Sequence, residues 1–361
     1  MTRNDTTASR QWASRPDDQR FTTIPELKTA VASRTDRSRS FITETKHLKV
    51  MPTQDNDLYI ETAEGPMGLT NWSFGQMCRK AKAPANYLES LPAELAAPDL
   101  QWGLDQSESQ DGMVLVDDGL TIHEEMMEPP MMRAFTGAKY GRIWDLDVIN
   151  AVENFNQDDR WRVPGHVHSE PTKRSTTLYA SDRDLFMFLV DERNPIQVNG
   201  DTLFRGFYTW NSEVGSATFG LAMFLYRRVC ANRIIWGQQE YRELRIVHRS
   251  SGPDQFRREA APILTEYANS SARQVEDTLR RAKELEVGRT EDDVTEWLQK
   301  RGYKAREAAG IIKSAVAEEG QARSLMDVVN GASALARQIS HTDQRVKAER
   351  LAGKLLDEVA A

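Results

Sequence analysis

Aromatic and arginine side chains are concentrated in the middle of the chain, between residues 205 and 249. Single-stranded nucleic acid is bound by cationic grooves that carry aromatic platforms, because phosphates need positive charge and unstacked bases need a π-face. This composition predicts binding of single-stranded DNA or RNA. The residues that we predict to make the contacts are Arg205, Tyr208, Trp210, Arg227, Arg228, Arg233 and Arg245.

The spacing of these residues also admits a purely structural interpretation. On a strand, Arg205 would lie on one face with Phe207, and Tyr208 would lie on the other face with Trp210. In the structural interpretation the aromatic rings are core, and the arginines are exposed to solvent or paired with nearby acids such as Glu213. Both interpretations require a strand over residues 203–210.

Two histidines suggest a second kind of chemistry. His166 and His168 are two residues apart, so on a strand they would point the same way. Asp158, Asp159 and Glu170 could complete a set of imidazole and carboxylate metal ligands. The alternative function is therefore a metal-dependent hydrolase or nuclease, although histidines at the end of a strand are also common on surfaces. Apart from this site we expect no cofactor.

The sequence gives little support for a catalytic nucleophile or for nucleotide hydrolysis. Cys78 and Cys230 both stand beside apolar residues, which predicts small buried side chains rather than reactive thiols. The chain has no phosphate-binding loop of the Gly-x-x-x-x-Gly-Lys-Ser/Thr type. The polar segment 211–215 after the predicted strand is typical of a tight turn whose side chains bond their own backbone. We accordingly expect a protein without catalytic activity.

Charge is unevenly distributed along the 361 residues, whose net charge is −7. Residues 1–50 hold ten Lys and Arg against six Asp and Glu, residues 51–130 hold three against fifteen, and residues 201–250 hold seven against four. Because local potential governs the encounter with a polyanion, an acidic protein can still present a basic face. The alternative is that the acidic surface only maintains solubility.

The apolar periodicity predicts an N-terminal helical unit, a central sheet and a helical C-terminal region. Residues 69–104 and 145–155 have helical spacing, and residues 217–229 are ambiguous, although we favour a strand. Residues 33–41 are polar and basic, typical of a linker or exposed loop. Strands are predicted at 113–116, 120–123, 176–180, 185–190 and 203–210, the first two forming a hairpin around Asp117-Asp118-Gly119. Residues 134–143 are predicted to form another strand pair, around Gly137.

The chain after Gly252-Pro253 is predicted to be helical almost to its end, because proline is well tolerated at the first helical position. An apolar stripe runs from Ile263 to Leu285. Such a stripe could join protomers, so a homo-oligomer formed through the C-terminal helices is a further possibility, but an intramolecular bundle has the same pattern.

Together these patterns predict an α+β fold with a central, mostly antiparallel sheet. We expect a mobile polar arm at residues 1–40, an α+β core domain at 41–250 and a C-terminal helical region at 251–361. No apolar run is long enough for a membrane span, the first residues have no secretory apolar core, and two cysteines cannot build a disulfide framework. The expected location is the cytoplasm, with no membrane partner.

Three separated segments and the end of the chain resemble one family. The segments are LTNWSFGQMCRKAKAPANYLESLPAEL (69–95), MRAFTGAKYGRIWDLDVINAV (132–152) and GFYTWNSEVGSATFGLAMFLYRRVCANRIIW (206–236) with VHR (247–249), followed by SLMDVVNGASALARQISHTDQRVKAERLAGKLL (324–356). This order resembles the phage- and plasmid-borne family named domain of unknown function nine hundred and thirty-two. Members commonly have Cys-Thr-Asn-Gly where this chain has Cys-Ala-Asn-Arg at 230–233. The resemblance implies a soluble protein of mobile genetic elements and brings no established reaction. Together with the arginine and aromatic residues, this context favours an accessory protein that handles single strands in replication, recombination or annealing in a host cytoplasm.

Overall fold

The computed structural model describes residues 16–108, 111–122, 125–164, 172, 176–198, 201–227, 232–234, 244–269, 272–339 and 342–359. Helices and strands are mixed along this part of the chain, which confirms the predicted α+β class. The strands are β1 (Arg20–Phe21), β2 (Ser38–Glu44), β3 (Lys49–Pro52), β4 (Leu58–Thr62), β5 (Gly65–Leu69), β6 (Asp111–Asp117), β7 (Leu120–Ile122), β8 (Glu125–Glu128), β9 (Met131–Gly137), β10 (Leu178–Ala180), β11 (Leu185–Val198), β12 (Asp201–Asn211), β13 (Phe219–Arg227), β14 (Asn232–Ile234) and β15 (Leu244–Ile246).

The helices surround these strands. They are α1 (Ile24–Asp36), α2 (Asn71–Lys80), α3 (Ala85–Leu88), α4 (Ala93–Gln106), α5 (Asp145–Phe155), α6 (Gly252–Asn269), α7 (Ala272–Glu284), α8 (Glu291–Gln299), α9 (Ala305–Glu319), α10 (Leu325–Arg337) and α11 (Thr342–Lys354). Side chains cap several of them at the amino end: the Thr70 hydroxyl accepts from the Ser73 amide at α2, and Thr290 forms a capping box with Asp293 at α8. No described helix is long and apolar enough to cross a membrane.

The strands form two large sheets rather than the single central sheet predicted from the sequence. The first, called the C-terminal sheet here, has the order β1-β10-β11-β12-β13-β14, with β15 also pairing with β13. The second, the N-terminal sheet, has the order β2-β6-β9-β5-β4-β3. Neighbours are antiparallel except for β5 and β9, which pair in parallel. The prediction of mostly antiparallel pairing is thus confirmed, although not the number of sheets.

Each sheet packs against its own helices. On the N-terminal sheet, α2, α3 and α4 cover a core that includes Met77, Leu100 and Val114, so the predicted helical unit at 69–104 is confirmed. On the C-terminal sheet, one face packs against α1, α5, α6 and the later helices. The opposite face of that sheet carries a separate aromatic cluster that includes Phe186, Tyr208 and Phe224.

The helices after Gly252 bury their apolar stripe within the same chain. Leu264, Tyr267, Leu279, Leu298 and Ile311 are all at most 2% exposed and belong to one core cluster with the C-terminal sheet. The stripe is therefore accounted for by intramolecular packing. Self-association through these helices stays a prediction.

Several sequence predictions fail because pairing is not local. The hairpin between 113–116 and 120–123 is wrong: β6 pairs with β2 and β9, while β7 pairs with β8. Residues 134–143 do not form a strand pair, since β9 ends at Gly137 and Tyr140 makes only an isolated bridge to Arg249.

The polar arm and linker predicted near the amino end are also wrong from residue 24 onward. Ile24–Asp36 is helix α1, and its Leu27 and Val31 are at most 1% exposed. Residues 33–41 are the end of α1 and the start of β2 rather than a loop. The few apolar side chains of this segment are enough to hold the helix in place, because Leu27 and Val31 pack into the core of the C-terminal sheet. Residues 1–15 lie outside the described residues.

Candidate functional site

A row of three residues crosses the C-terminal sheet at one end. Trp210 on β12 pairs with Gly220 on β13, and Gly220 pairs with Arg245 on β15. A Cβ atom on Gly220 would lie 1.9 Å from Trp210 Cζ2, so the indole lies across the glycine toward the next strand. The Arg245 guanidinium carbon is 5.7 Å from a Trp210 ring centroid, a cation–π distance. Arg245 is exposed and Trp210 is partly exposed, so this pair reaches solvent.

The Trp210 ring is the outer member of the aromatic cluster. Tyr208 stacks on it with centroids 5.4 Å apart, and Phe186 stacks on Tyr208 at 5.9 Å. Tyr208 is only 3% exposed, however, and Phe186 1%. Tyr208 was predicted to contact nucleic acid, but here it supports Trp210 from behind and offers no open ring face of its own.

Arg205 lies on the opposite face of the same sheet, as strand alternation predicted, and this placement removes it from the surface. It is 6% exposed, stands across from Asp191 in the strand register, and donates from Nη1 to the Tyr267 carbonyl over 3.4 Å. Arg205 therefore ties β12 to α6. As placed, it cannot reach a phosphate.

The remaining predicted arginines are only partly located. Arg227 is the last residue of β13 and Arg233 lies on β14, where it stands across from Tyr226. Their side chains, and all of Arg228, lie outside the described residues. Among the seven predicted contact residues, the structure thus brings together Tyr208, Trp210 and Arg245.

Two arginines lie against a second tryptophan, Trp72, and none of these three residues was predicted from the sequence. The Arg79 and Arg183 guanidinium carbons lie 5.5 Å and 5.7 Å from Trp72 ring centroids. Trp72 Nε1 donates to the Val214 carbonyl over 2.8 Å, and Gln76 Nε2 donates to the same oxygen over 2.9 Å. The seven-residue spacing of Trp72 and Arg79 on one helix was a signal in the sequence, but nothing local indicated that Arg183 would join them.

The segment between Trp210 and this second stack is anchored by a buried charge cluster, defined here as Arg34, Arg133, Arg142, Asp145 and Glu213. Arg133 Nη2 lies 2.7 Å from Glu213 Oε2, and Arg34 Nη2 lies 2.8 Å from Asp145 Oδ2. Arg142 donates to the Glu213 carbonyl. The predicted turn is present, and Ser212 Oγ accepts from the Ser216 amide over 3.0 Å. Glu213 in addition connects elements of both sheets, because Arg133 belongs to β9.

Burial and charge shift the pKa values inside this cluster. Burial, reinforced by the neighbouring Glu213 carboxylate, raises the pKa of Asp145 to about 7. Burial opposes ionisation of Glu213 as well, but Arg133 and Arg34 outweigh it and the pKa of Glu213 is lowered. Burial lowers the pKa of Arg142 to about 10. Asp145 is thus the member of the cluster that changes charge near neutral pH.

His248 borders the cluster and is held in the neutral form. Its Nδ1 lies 3.2 Å from the Gly141 carbonyl, and its ring stacks on Tyr140 with centroids 5.0 Å apart. Burial lowers the pKa of His248 to about 4. Asp145 and Glu213 are each 1% exposed and His248 8%, so these groups have perturbed pKa values without an open face for a substrate. These groups therefore have a structural role: they connect segments of the fold that lie far apart in sequence.

The thiol prediction can be tested at one cysteine. Cys78 is 1% exposed, and burial raises the pKa of its thiol to about 12, so it is a small buried side chain, as predicted. Cys230 lies outside the described residues.

A groove of about 690 Å³ lies on the N-terminal sheet, away from these groups. Helices α2 to α4 form one wall and β4, β5 and the segment before β9 form the other, with Phe74, Leu91 and Met131 among the lining side chains. This volume suits a small molecule. The described lining residues include no histidine or cysteine. Within its described lining, the groove thus has shape, apolar surface and the carboxylates of Asp57, Glu64 and Glu89, but no thiol or imidazole.

The predicted metal site cannot be located. His166 and His168 lie outside the described residues. Within the part of the chain that is described, no group of three or more His, Cys, Asp or Glu side chains is placed to hold a metal ion. The metal-dependent alternative stays a prediction from sequence.

A family model described as Domain of unknown function (DUF932) matches residues 167–307 of this chain. The matched segment begins before β10 and ends in α9, so it includes the row of Trp210, Gly220 and Arg245 and the Glu213 segment. No curated protein and no solved structure matches the chain.

Proposed function

We propose that the protein binds single-stranded nucleic acid at the Trp210–Arg245 stack. The observation that carries the proposal is an exposed guanidinium placed 5.7 Å from a partly exposed indole at the end of a sheet. An indole offers a π-face to an unstacked base, and a guanidinium stacks on bases and binds phosphate. The pair thus combines the two interactions that a single strand requires.

The rigid support of Trp210 favours this role. Tyr208 fixes the ring from behind, and Gly220 leaves the space in which it lies. A base that stacks on a ring already held in position loses less free energy to ordering than one that binds a mobile side chain. The buried Tyr208 therefore contributes to binding indirectly.

The biological setting that we propose follows from the family resemblance. A phage- or plasmid-encoded accessory protein acting in replication, recombination or annealing would meet single strands in a host cytoplasm. Its net charge of −7 disfavours nonspecific attraction to polyanions, so binding would depend on local arginines and weaken with added salt.

Fluorescence anisotropy of labelled oligo-dT and oligo-U tests the proposal at low and moderate salt. We expect binding to at least one of the two strands, and a loss of affinity as salt increases. Arg245→Ala should weaken binding about tenfold, and Trp210→Phe less, because phenylalanine keeps a smaller π-face. The matched control is Arg257→Ala, which removes an exposed arginine that pairs with Asp254 on α6. Absence of binding at low salt, or equal weakening by the control, would refute the proposal.

A further inference from the structure

Trp72 and its two arginines form a compact group that the proposed site does not include. Trp72 and Arg79 lie on α2, whereas Arg183 comes from the segment between β10 and β11. Both guanidinium carbons are within 5.7 Å of a Trp72 ring centroid. Trp72 is partly exposed and Arg79 is exposed, so the group reaches solvent. A helix that packs on the N-terminal sheet and a connection between two strands of the C-terminal sheet thus bring together one indole and two guanidinium groups.

Arg79 and Arg183 have no acidic partner among the residues that the structure describes. Neither guanidinium has an ion pair with a carboxylate within the described part of the chain; Arg79 Nε donates only to the Gly75 carbonyl, over 3.3 Å. Other surface arginines differ: Arg280 pairs with Asp277, and Arg289 pairs with Glu286. Arginines stacked on an indole without a carboxylate partner retain their donors for an anion.

The Trp72 ring is held in place rather than loosely exposed. Its Nε1 donates to the Val214 carbonyl, and Gln76 Nε2 shares that oxygen while Gln76 Oε1 accepts from the Phe135 amide over 2.8 Å. The indole is therefore locked to the segment that follows β12, and its orientation does not depend on a ligand.

The segment after β12, residues 212–216, is also close in sequence to the Trp210–Arg245 stack. Trp210 is four residues before Val214, a span of at most about 14 Å in an extended chain. Arg183 is tied to the segment as well, because its carbonyl accepts from Ser212 Oγ over 2.7 Å and from Ser216 Oγ over 3.2 Å. The two tryptophan–arginine groups thus flank one short, anchored segment.

We propose that Trp72, Arg79 and Arg183 form a second stacking and phosphate subsite for the same single strand that binds at Trp210 and Arg245. This inference rests on the proposed function and extends it: the ligand is a strand long enough to pass from one stack to the other. One base stacks against Trp72 and its guanidinium groups while neighbouring phosphates contact the free donors. The two subsites together set a minimum length for tight binding.

The test compares oligo-dT of about 16 and about 4 nucleotides, lengths that bracket one single-strand site, on the full chain. The double variant Arg79→Ala/Arg183→Ala should bind the longer strand about tenfold more weakly. Its slope of log affinity against log salt should fall in magnitude by about 1.4, the value for losing two cationic contacts to a single strand. The short strand, which has fewer bases and phosphates to place at the second stack, should change less.

The matched control is Arg280→Ala/Arg289→Ala, which removes the same charge from α7 and from the segment between α7 and α8, remote in sequence. A second variant, Arg79→Lys/Arg183→Lys, keeps the charge but loses the planar stack, so it should keep the salt slope and lose about threefold in affinity. If the wild type binds and Arg245→Ala weakens it, but the Arg79/Arg183 variant matches the control, the second subsite is refuted and the proposed function stands. If the wild type binds neither strand, both are refuted.

Discussion

The amide nitrogen of Asp145 donates to Glu213 Oε1 over 3.0 Å, so two acidic residues that are each 1% exposed lie side by side. Asp145 begins α5, and Glu213 follows β12. Two like charges in a buried site are tolerated only if cations or protons compensate them. Arg34 and Arg133 supply the cations, and the raised pKa of Asp145 supplies a proton near neutral pH.

Glu213→Gln should destabilise the protein by about 3 kcal/mol or more, because it leaves the buried Arg133 beside a neutral amide. Chemical denaturation of the purified variant measures this. The matched control is Glu296→Gln, which removes an exposed partner of Lys300 and should cost about 0.5 kcal/mol or less. Equal stabilities of the two variants would show that the buried cluster does not hold the two sheets together.

Asp145→Asn should change how stability depends on pH. The pKa of Asp145 rises from 3.8 to about 7 on folding, so between these values the native state binds a proton that the unfolded chain has released. The stability this provides is fully present below pH 3.8 and is lost as pH rises through about 7. The free energy of unfolding of the wild type relative to the variant should therefore fall between about pH 4 and about pH 7. A constant difference across this range would contradict the shifted pKa.

Gly220→Ala should displace the Trp210 indole, because the new Cβ would lie 1.9 Å from Cζ2. We expect a loss of about 1–3 kcal/mol in stability from overpacking, with weaker oligonucleotide binding. Gly137→Ala is the control, since a Cβ there meets nothing within 4 Å. Thermal unfolding and anisotropy follow both effects. If Gly220→Ala behaves like Gly137→Ala, the cross-strand position of the indole is wrong.

Leu298→Ala should cost about 2–5 kcal/mol, because this side chain of α8 is fully buried and its truncation leaves a cavity. Leu95→Ala, at a side chain 56% exposed on α4, should cost far less. Calorimetry on the full chain checks both. The core that Leu298 joins includes the C-terminal sheet, so a single transition should shift. A separate transition for the C-terminal helices would instead show that they form an independent unit.

Local patterns in the sequence determined much of the secondary structure. Helix α5, the helical unit from Asn71 onward and the helices after Gly252 follow from apolar spacing and from caps such as Thr70 and Thr290. The alternation of Phe207 and Tyr208 between two faces of β12 was also correct, since the side-chain period of a strand is fixed by its backbone. These features depend on residues within a few positions of one another.

Only the tertiary structure decided which strands pair and which charges meet. Pairing of β6 with β2, burial of Arg205 and contact of Arg183 with Trp72 all join residues far apart in sequence. An arginine has the same local pattern whether it faces solvent or a buried carbonyl, because burial is set by the elements that pack above it. For the same reason, the sequence pointed to Trp210 and Arg245 as candidates, whereas their stacking required β12, β13 and β15 to be brought into register.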